Sequence, residues 1–373
     1  MNPIIMKTKI PFQLLVCLTL IGLPAPLSTA RAQGSLTPPG APTPTMLTLN
    51  QIQPRIPISA PYNISLPGSY YLTTNIVVNF IQPVAISINA SDVTLDLNGF
   101  TLSTTANYSA STGAGGIELG SGLSDVTILN GHIRGGVTYS GGTYSEFGFG
   151  DGISYSGTQP INVHVSGVSV SGCYYYGINL GTANSTMVDG CTVQTVGNYG
   201  IEASSVCRST AYQCGNTGII ATSASDCIGY GINGDGLDAI TALNCYGIST
   251  NSDGINVSQN ANNCYGASSG SAGTGLVAST AESCVGQAIN LGLSANTANN
   301  CYANGNNAGG IYTHYVATSC FGISSVGYGI QSYIADSCYG ANTGSTAGID
   351  ATIANSCFSS NGDGKITNKY NMP

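Results

Sequence analysis

The chain has 373 residues, 51 glycines, 22 tyrosines and no tryptophan, and only 6% of it is charged. An ordinary domain is about 25% charged, so serine, threonine and asparagine must supply the polar surface, while the many aromatics with little charge exclude the disordered class. Beyond Lys7, Lys9 and Arg31 the only cations are Arg55, Arg134, Arg208, Lys365 and Lys369, scattered through a chain of net charge −8; nucleic acid needs clustered cations to displace counterions, so such a partner is excluded.

In chain order, Lys7 and Lys9 precede an apolar run from Ile10 to Leu23, and Ala30-Arg31-Ala32 offers small residues for cleavage. Residues 1–32 read as a secretory signal peptide, because the apolar core is too short to span a bilayer. No later stretch is apolar enough to do so, and the mature chain is expected outside the cytoplasm, in the periplasm, at the cell surface or released. Val16 is too large for a lipoprotein site at Cys17. Residues 33–60 form a Pro-rich linker and the lead-in to a cap. From 61 onward the chain reads as β-structure. Ser69 to Val78, Val84 to Ile88 and Val93 to Leu97 are strand-like, and Asn98-Gly99 is a turn before Phe100-Thr-Leu102. Val126 to Arg134 and Ile161 to Val170 repeat that phrase.

From Leu237 to Phe358 one sentence recurs: Ala242-Leu-Asn-Cys245-Tyr-Gly, then matching phrases ending at Cys264, Cys284, Cys301, Cys320, Cys338 and Cys357. These cysteines lie 19, 20, 17, 19, 18 and 19 residues apart. A second phrase falls between them, as Asp253-Gly-Ile255 or Tyr328-Gly-Ile330. A period of 18–20 with β-prone runs predicts a solenoid of about 13–15 coils, rising about 4.8 Å per coil. Ten cysteines (191, 207, 227 and the seven above) form the expected inward ladder, with Cys173 and Cys214 set apart. In-register neighbours about 4.8 Å apart exceed the disulfide Cβ range of about 3.5–4.5 Å, so free thiols are expected. The glycine before each Ile is expected at positive φ, and the Asn or Ser before each Cys at a left-handed corner.

Asp92-Val-Thr-Leu-Asp-Leu-Asn-Gly-Phe-Thr-Leu102, following Leu66-Pro-Gly-Ser-Tyr-Tyr-Leu72, resembles the opening of secreted bacterial right-handed parallel β-helix proteins of the pectate-lyase-like fold. The resemblance implies that architecture over residues 46 to 373. It does not imply one activity, because the fold hosts lyases, hydrolases, epimerases and adhesins. Its lyases use Ca²⁺ with an Arg or Lys base, and its hydrolases use grouped aspartates.

Two functions follow. The first is a non-catalytic protein that presents a long surface to a polysaccharide, a cell-envelope component or another protein. Its contact residues would be Tyr246, Tyr265, Tyr302 and Tyr339, which follow ladder cysteines, together with Tyr144 and Phe147 in the long insertion from Gly135 to Gly157. The alternative is a polysaccharide lyase or glycoside hydrolase built on Asp235, Asp238 and Asp253 with Arg208, with Ca²⁺ as a conceivable cofactor. The blander reading of these aspartates, and of Asp151 and Asp363, is turn chemistry. No Cys-x-x-Cys is present, and His132, His164 and His314 lack zinc spacing.

Overall fold

The computed structural model describes residues 55–78, 84–104, 114–145, 147–361 and 366–372; the expected signal peptide over 1–32, most of the expected linker, Asp363 and Lys365 lie outside them. These residues are all-β, a parallel β-solenoid without helix. Strand pairing begins at Arg55–Ile58, which lies parallel to Gly68–Leu72.

One coil shows the plan. Leu237–Leu243 covers a first and a second face, a corner follows at Asn244, and Tyr246–Ser249 makes the third face. Each face pairs in parallel with the same face one coil away, Leu237 with Ile219 and Ile255, Ala242 with Ala224 and Ala261, and Tyr246 with Ile228 and Tyr265. Alternate side chains point inward because the strand period is two. Along the first face, Ile86, Ile117, Ile153, Ile178, Ile201, Ile219, Leu237, Ile255, Leu276, Leu293, Ile311, Ile330 and Ile349 form one column, and all are buried. The thirteen positions bound twelve turns, and the solenoid of about 11 to 12 coils is shorter than the 13–15 expected.

The corners follow the expected chemistry in one case and not the other. Asn244, Asn263, Ser283, Asn300, Ser319, Ser337 and Ser356 all sit at φ between 50° and 55°. Such residues tolerate the left-handed region because their short polar groups bond locally. Asn263 donates to Asn244 Oδ1 at 2.8 Å and Asn244 to Asp226 Oδ1 at 3.0 Å, so the corners also form a polar stack. The glycines before each Ile do not have positive φ, contrary to expectation. Their role is close approach. A Cβ on Gly266 would lie 2.1 Å from the Gly275 carbonyl oxygen, and Gly247 faces Gly254 at 2.3 Å in the same sense. Backbone meets backbone across the coil there, and a side chain on either strand would hold the two apart.

The sulfur column is inward and buried as expected, with one substitution. Thr210 N bonds the Cys191 carbonyl and Ile228 N bonds the Ser209 carbonyl, so the rung between Cys191 and Cys227 is Ser209, not Cys207. Ser209 is 1% exposed, its hydroxyl accepts from Cys191 N at 3.1 Å and donates to the Cys207 carbonyl at 2.7 Å. Cys207 lies on the second face, half-buried, opposite Asp189 and Ser225. The spacing carried the signal, since 191, 209 and 227 are evenly 18 apart where 191, 207 and 227 are not. Cys173 and Cys214 occupy a different inward column, joined through Val196.

All twelve cysteines from Cys173 onward are free thiols. Most ladder sulfurs reach two carbonyls, one two residues back and one on the preceding coil; Cys338 Sγ donates to Asp336 O at 3.2 Å and Ala317 O at 3.3 Å. Burial pushes the Cys191 thiol up to about 11 and that of Cys214 to about 12. The hydrogen bonds of Cys245 and Cys284 to neighbouring sulfurs raise theirs, with burial adding to it.

Candidate functional site

The X-Gly-Ile phrase opens the first face, and X forms a column at its edge. Asp151, Asp235 and Asp253 stand in it. Each carboxylate reaches up the stack to the next coil. Asp151 Oδ1 accepts from Tyr176 N at 3.2 Å, Asp235 Oδ1 from Asp253 N at 3.1 Å, and Asp253 Oδ1 from Thr274 N at 2.6 Å. Asp235 also accepts from Ser252 Oγ at 2.6 Å and Asn256 Nδ2 at 3.4 Å. The turn chemistry expected of these residues is therefore real but acts between coils. Carboxylates that accept backbone N–H groups are anchored, which leaves less of each carboxylate free for a substrate.

Asp238 stands beside Asp235 on the outward side of the first face, between Ile220 and Asn256. Burial raises its carboxyl above the usual range and the Asp235 charge adds to that; burial likewise raises Asp253 and Asp151. The structure thus brings Asp235, Asp238 and Asp253 into electrostatic contact. It does not bring Arg208 to them. Arg208 occupies the corner column of Asp226 and Asn244, between the second and third faces, with φ 46°. Its guanidinium is bound to Asp189 Oδ2 at 2.6 Å. A further cation, Arg134, stands on the third face between Ser103 and Ser171. Among the described residues no three His, Cys, Asp or Glu side chains group as a metal site.

The tyrosines that follow the cysteines point outward and stack on one another. Tyr246 and Tyr265 rings lie 4.6 Å apart at 5°, Phe321 and Tyr339 4.7 Å at 1°, and Tyr302 and Phe321 5.5 Å at 13°. Val285 interrupts the stack between Tyr265 and Tyr302. The ring planes face along the column, so they meet each other and present edges and hydroxyls to the outside. A sugar ring stacks on an aromatic face, and here those faces are mostly occupied.

The insertion arranges aromatics differently. Tyr139–Ser140 and Thr143–Tyr144 form a small antiparallel hairpin. Tyr144 reaches across to a distant coil, where its hydroxyl donates to the Gln213 carbonyl at 2.8 Å. Burial lifts that phenol well above its ordinary range, with Cys214 and Tyr139 adding. Between hairpin and coils lies a cleft of about 420 Å³, lined by Gly142, Thr143, Tyr144, Tyr174, Tyr175, Gly197 and Asn198. Tyr174 meets Tyr175 edge-on at 5.0 Å, and Tyr175 is 39% exposed. Phe147 is exposed but does not line the cleft. Sequence reasoning had Tyr144 but missed Tyr174, Tyr175 and Asn198, which become visible only once the hairpin's docking point is known.

A second groove, of about 380 Å³, gathers His314, Ser332 and Asp350 from three successive coils. Their combination suggests a nucleophile triad. The Ser332 hydroxyl, however, accepts from Thr313 Oγ1 at 2.8 Å and donates to the Ile334 carbonyl, so its proton is not offered to His314.

No protein-family model, no curated protein and no solved structure matches this chain. The likeness to pectate-lyase-like proteins rests on the sequence phrases alone, and the structure supports its coarser part, the parallel β-solenoid.

Proposed function

We propose that this protein is a non-catalytic, exported solenoid that binds a glycan in the tyrosine-lined cleft between the 139–144 hairpin and the coils. The single observation that carries this is the cleft itself. It is concave, holds three tyrosines and an asparagine amide, and contains no charged side chain. Amphipathic rings and neutral hydrogen-bonding groups suit a neutral saccharide. The leader over residues 1–32 supports export, which would place the cleft where polysaccharide is found. A long loop on a rigid scaffold is where binding usually resides. The test is a glycan array followed by affinity electrophoresis on any ligand found. Tyr175→Ala should weaken retention by about tenfold, the loss of one stacking contact of about 1–1.5 kcal/mol; retention unchanged by this substitution would refute the cleft.

One observation favours the enzymatic reading, the meeting of Asp235, Asp238 and Asp253 with raised carboxyls on two of them. Against it stand the commitment of Asp235 and Asp253 to the next coil's N–H groups and the remote pairing of Arg208. Release of unsaturated uronates from pectin or alginate, with and without Ca²⁺, decides between the two: reproducible turnover lost in Asp238→Asn would overturn the non-catalytic proposal.

A further inference from the structure

The nine third-face strands from Thr210–Cys214 to Phe358–Ser359 contain no Asp, Glu, Lys or Arg. The first face carries Glu202, Asp238 and Asp350, and the second Asp189, Glu282 and Asp336. The uncharged face has two outward columns of unequal height. One is the aromatic ridge of Tyr246, Tyr265, Tyr302, Phe321, Tyr339 and Phe358. The other, two residues further along each strand, begins with Tyr212 and Tyr230, beside Thr210 and Ile228 in the first column, and is low from Ile248 on, through Ala267, Gln287, Asn304, Ile323 and Ala341. The ridge is partly exposed throughout, with Tyr246 at 37% and Phe358 at 48%.

We infer that this face is the interface of a homodimer, in which two copies lie side by side with a twofold axis parallel to the solenoid axis. Three observations carry the choice of a second copy as occupant. A chain of net charge −8 repels itself, and this is the face on which two copies approach without opposing carboxylates. The extent suffices: with Thr210–Cys214 taken by the hairpin, the eight strands from Ile228–Gly231 on, about 4.8 Å apart and four residues wide, cover roughly 500 Å² on each partner, and the total of roughly 1,000 Å² reaches the threshold of about 1,000 Å² for a specific interface. The relief is self-complementary. A twofold parallel to the solenoid axis sets each copy's ridge over the other's low column at the same level, so that Tyr265 meets Ala267, Phe321 meets Ile323 and Tyr339 meets Ala341. A twofold along the strands would set ridge against ridge. The equal rise of both copies then keeps every level matched, as an isologous contact requires.

Sedimentation equilibrium of the chain at about 20 µM should give twice the monomer mass. Ile248→Glu/Ile323→Glu places carboxylates on the low column, each beneath the partner's aromatic ridge with no counter-charge to meet it, and should raise the dimer dissociation constant at least about 100-fold. Both positions are outward and half-buried, so thermal melting should stay near wild type and separate lost association from lost folding. A photo-reactive p-benzoylphenylalanine at position 265 should capture the strand Tyr265–Ser268 of the second copy. A monomeric wild type would overturn the inference, as would a dimer that survives both charges or a cross-link to a different face. Glycan binding at the hairpin cleft is read out separately and can fail without affecting this result.

Discussion

The early and late coils solve one packing problem in opposite ways. From Ile86 to Ile178 three coils take 31, 36 and 25 residues, whereas Ile201 to Ile349 spans eight coils in 148 residues. The second-face inward column reads Leu95, Ile128, Val165, Val188 and Val206 early, then Ala224, Ala242, Ala261 and alanine at every rung to Ala354. Wide coils are filled by branched aliphatics. Narrow coils are closed by alanine, thiol and glycine, until backbone touches backbone. Part of the extra length of the early coils is the insertion that carries the 139–144 hairpin, so the packing difference lies in the inward residues, and a substitution is judged by which kind of coil it enters.

The sharpest way to break this comparison is to empty a wide coil. Leu95→Ala should cost about 3–4 kcal/mol, because the rigid strands around it cannot collapse into the space; the equivalent Ala261→Gly in a narrow coil should cost about 1 kcal/mol. Urea denaturation of the two variants checks the ratio, and equal losses would mean the coils are packed alike. Next comes overfilling. Gly266→Ala should cost about 2–3 kcal/mol, since the obstacle is a carbonyl 2.1 Å from the new Cβ. At Gly99, which has open space and φ +77°, the same change should cost about 1 kcal/mol, from backbone strain alone.

A chemical probe sharpens the contrast further. In the native protein near pH 8, iodoacetamide should label Cys207 and leave the ladder thiols and the separate pair Cys173 and Cys214 intact, because all of these are buried and burial raises Cys191 to about 11 and Cys214 to about 12. Unfolding without reductant should expose all twelve to labelling. Mass spectrometry of the labelled peptides gives the count; fewer than half labelled after unfolding would mean disulfides had formed.

The smallest effect is electrostatic. Asp151, Asp238 and Asp253 have carboxyls raised in the folded state, so the folded chain holds those protons more tightly than the unfolded one. Stability should rise as pH falls from neutral through the raised values, and level off near the unfolded carboxylate value of about 3.9. Asp238→Asn removes one such charge, and should raise the melting temperature by about one or two degrees at pH 7 and by nothing near pH 4. A larger gain in acid than at neutrality would reverse the sign assigned to this group.

Much of the fold was legible because stacking repeats an environment, and a repeated environment selects repeated residues. The Cys-Tyr-Gly phrase betrayed the inward, outward, inward alternation of the third face directly. The cases that misled are those where two residue types serve one environment. Ser209 fills a sulfur position because a hydroxyl of similar size meets the same neighbours, and the nearby Cys207 drew the eye instead. Glycine before Ile was ambiguous for the same reason, since a left-handed turn and a close approach both select it. The candidate site was less legible still. Sequence could place Asp235 and Asp253 one coil apart, but not reveal that each carboxylate bonds the coil above. The docking of Tyr144 on Gln213 joins positions 69 residues apart outside the repeat, and no periodicity announces it.

The upward bonds of Asp235 and Asp253 have a consequence for how this chain can change length. Excising residues 236–253 would lay Asp235 where Asp253 now stands, its carboxylate facing Thr274, with Ala224 beneath Ala261 and Cys227 beneath Cys264. Every severed contact would be replaced by one of the same kind, because each coil touches only its neighbours. Insertion and deletion, usually the harshest of lesions, should be mild here in whole coils, which at this point of the chain means eighteen residues. The same cut shifted to remove nine residues should abolish folding, a difference that circular dichroism of the two shortened chains would show at once.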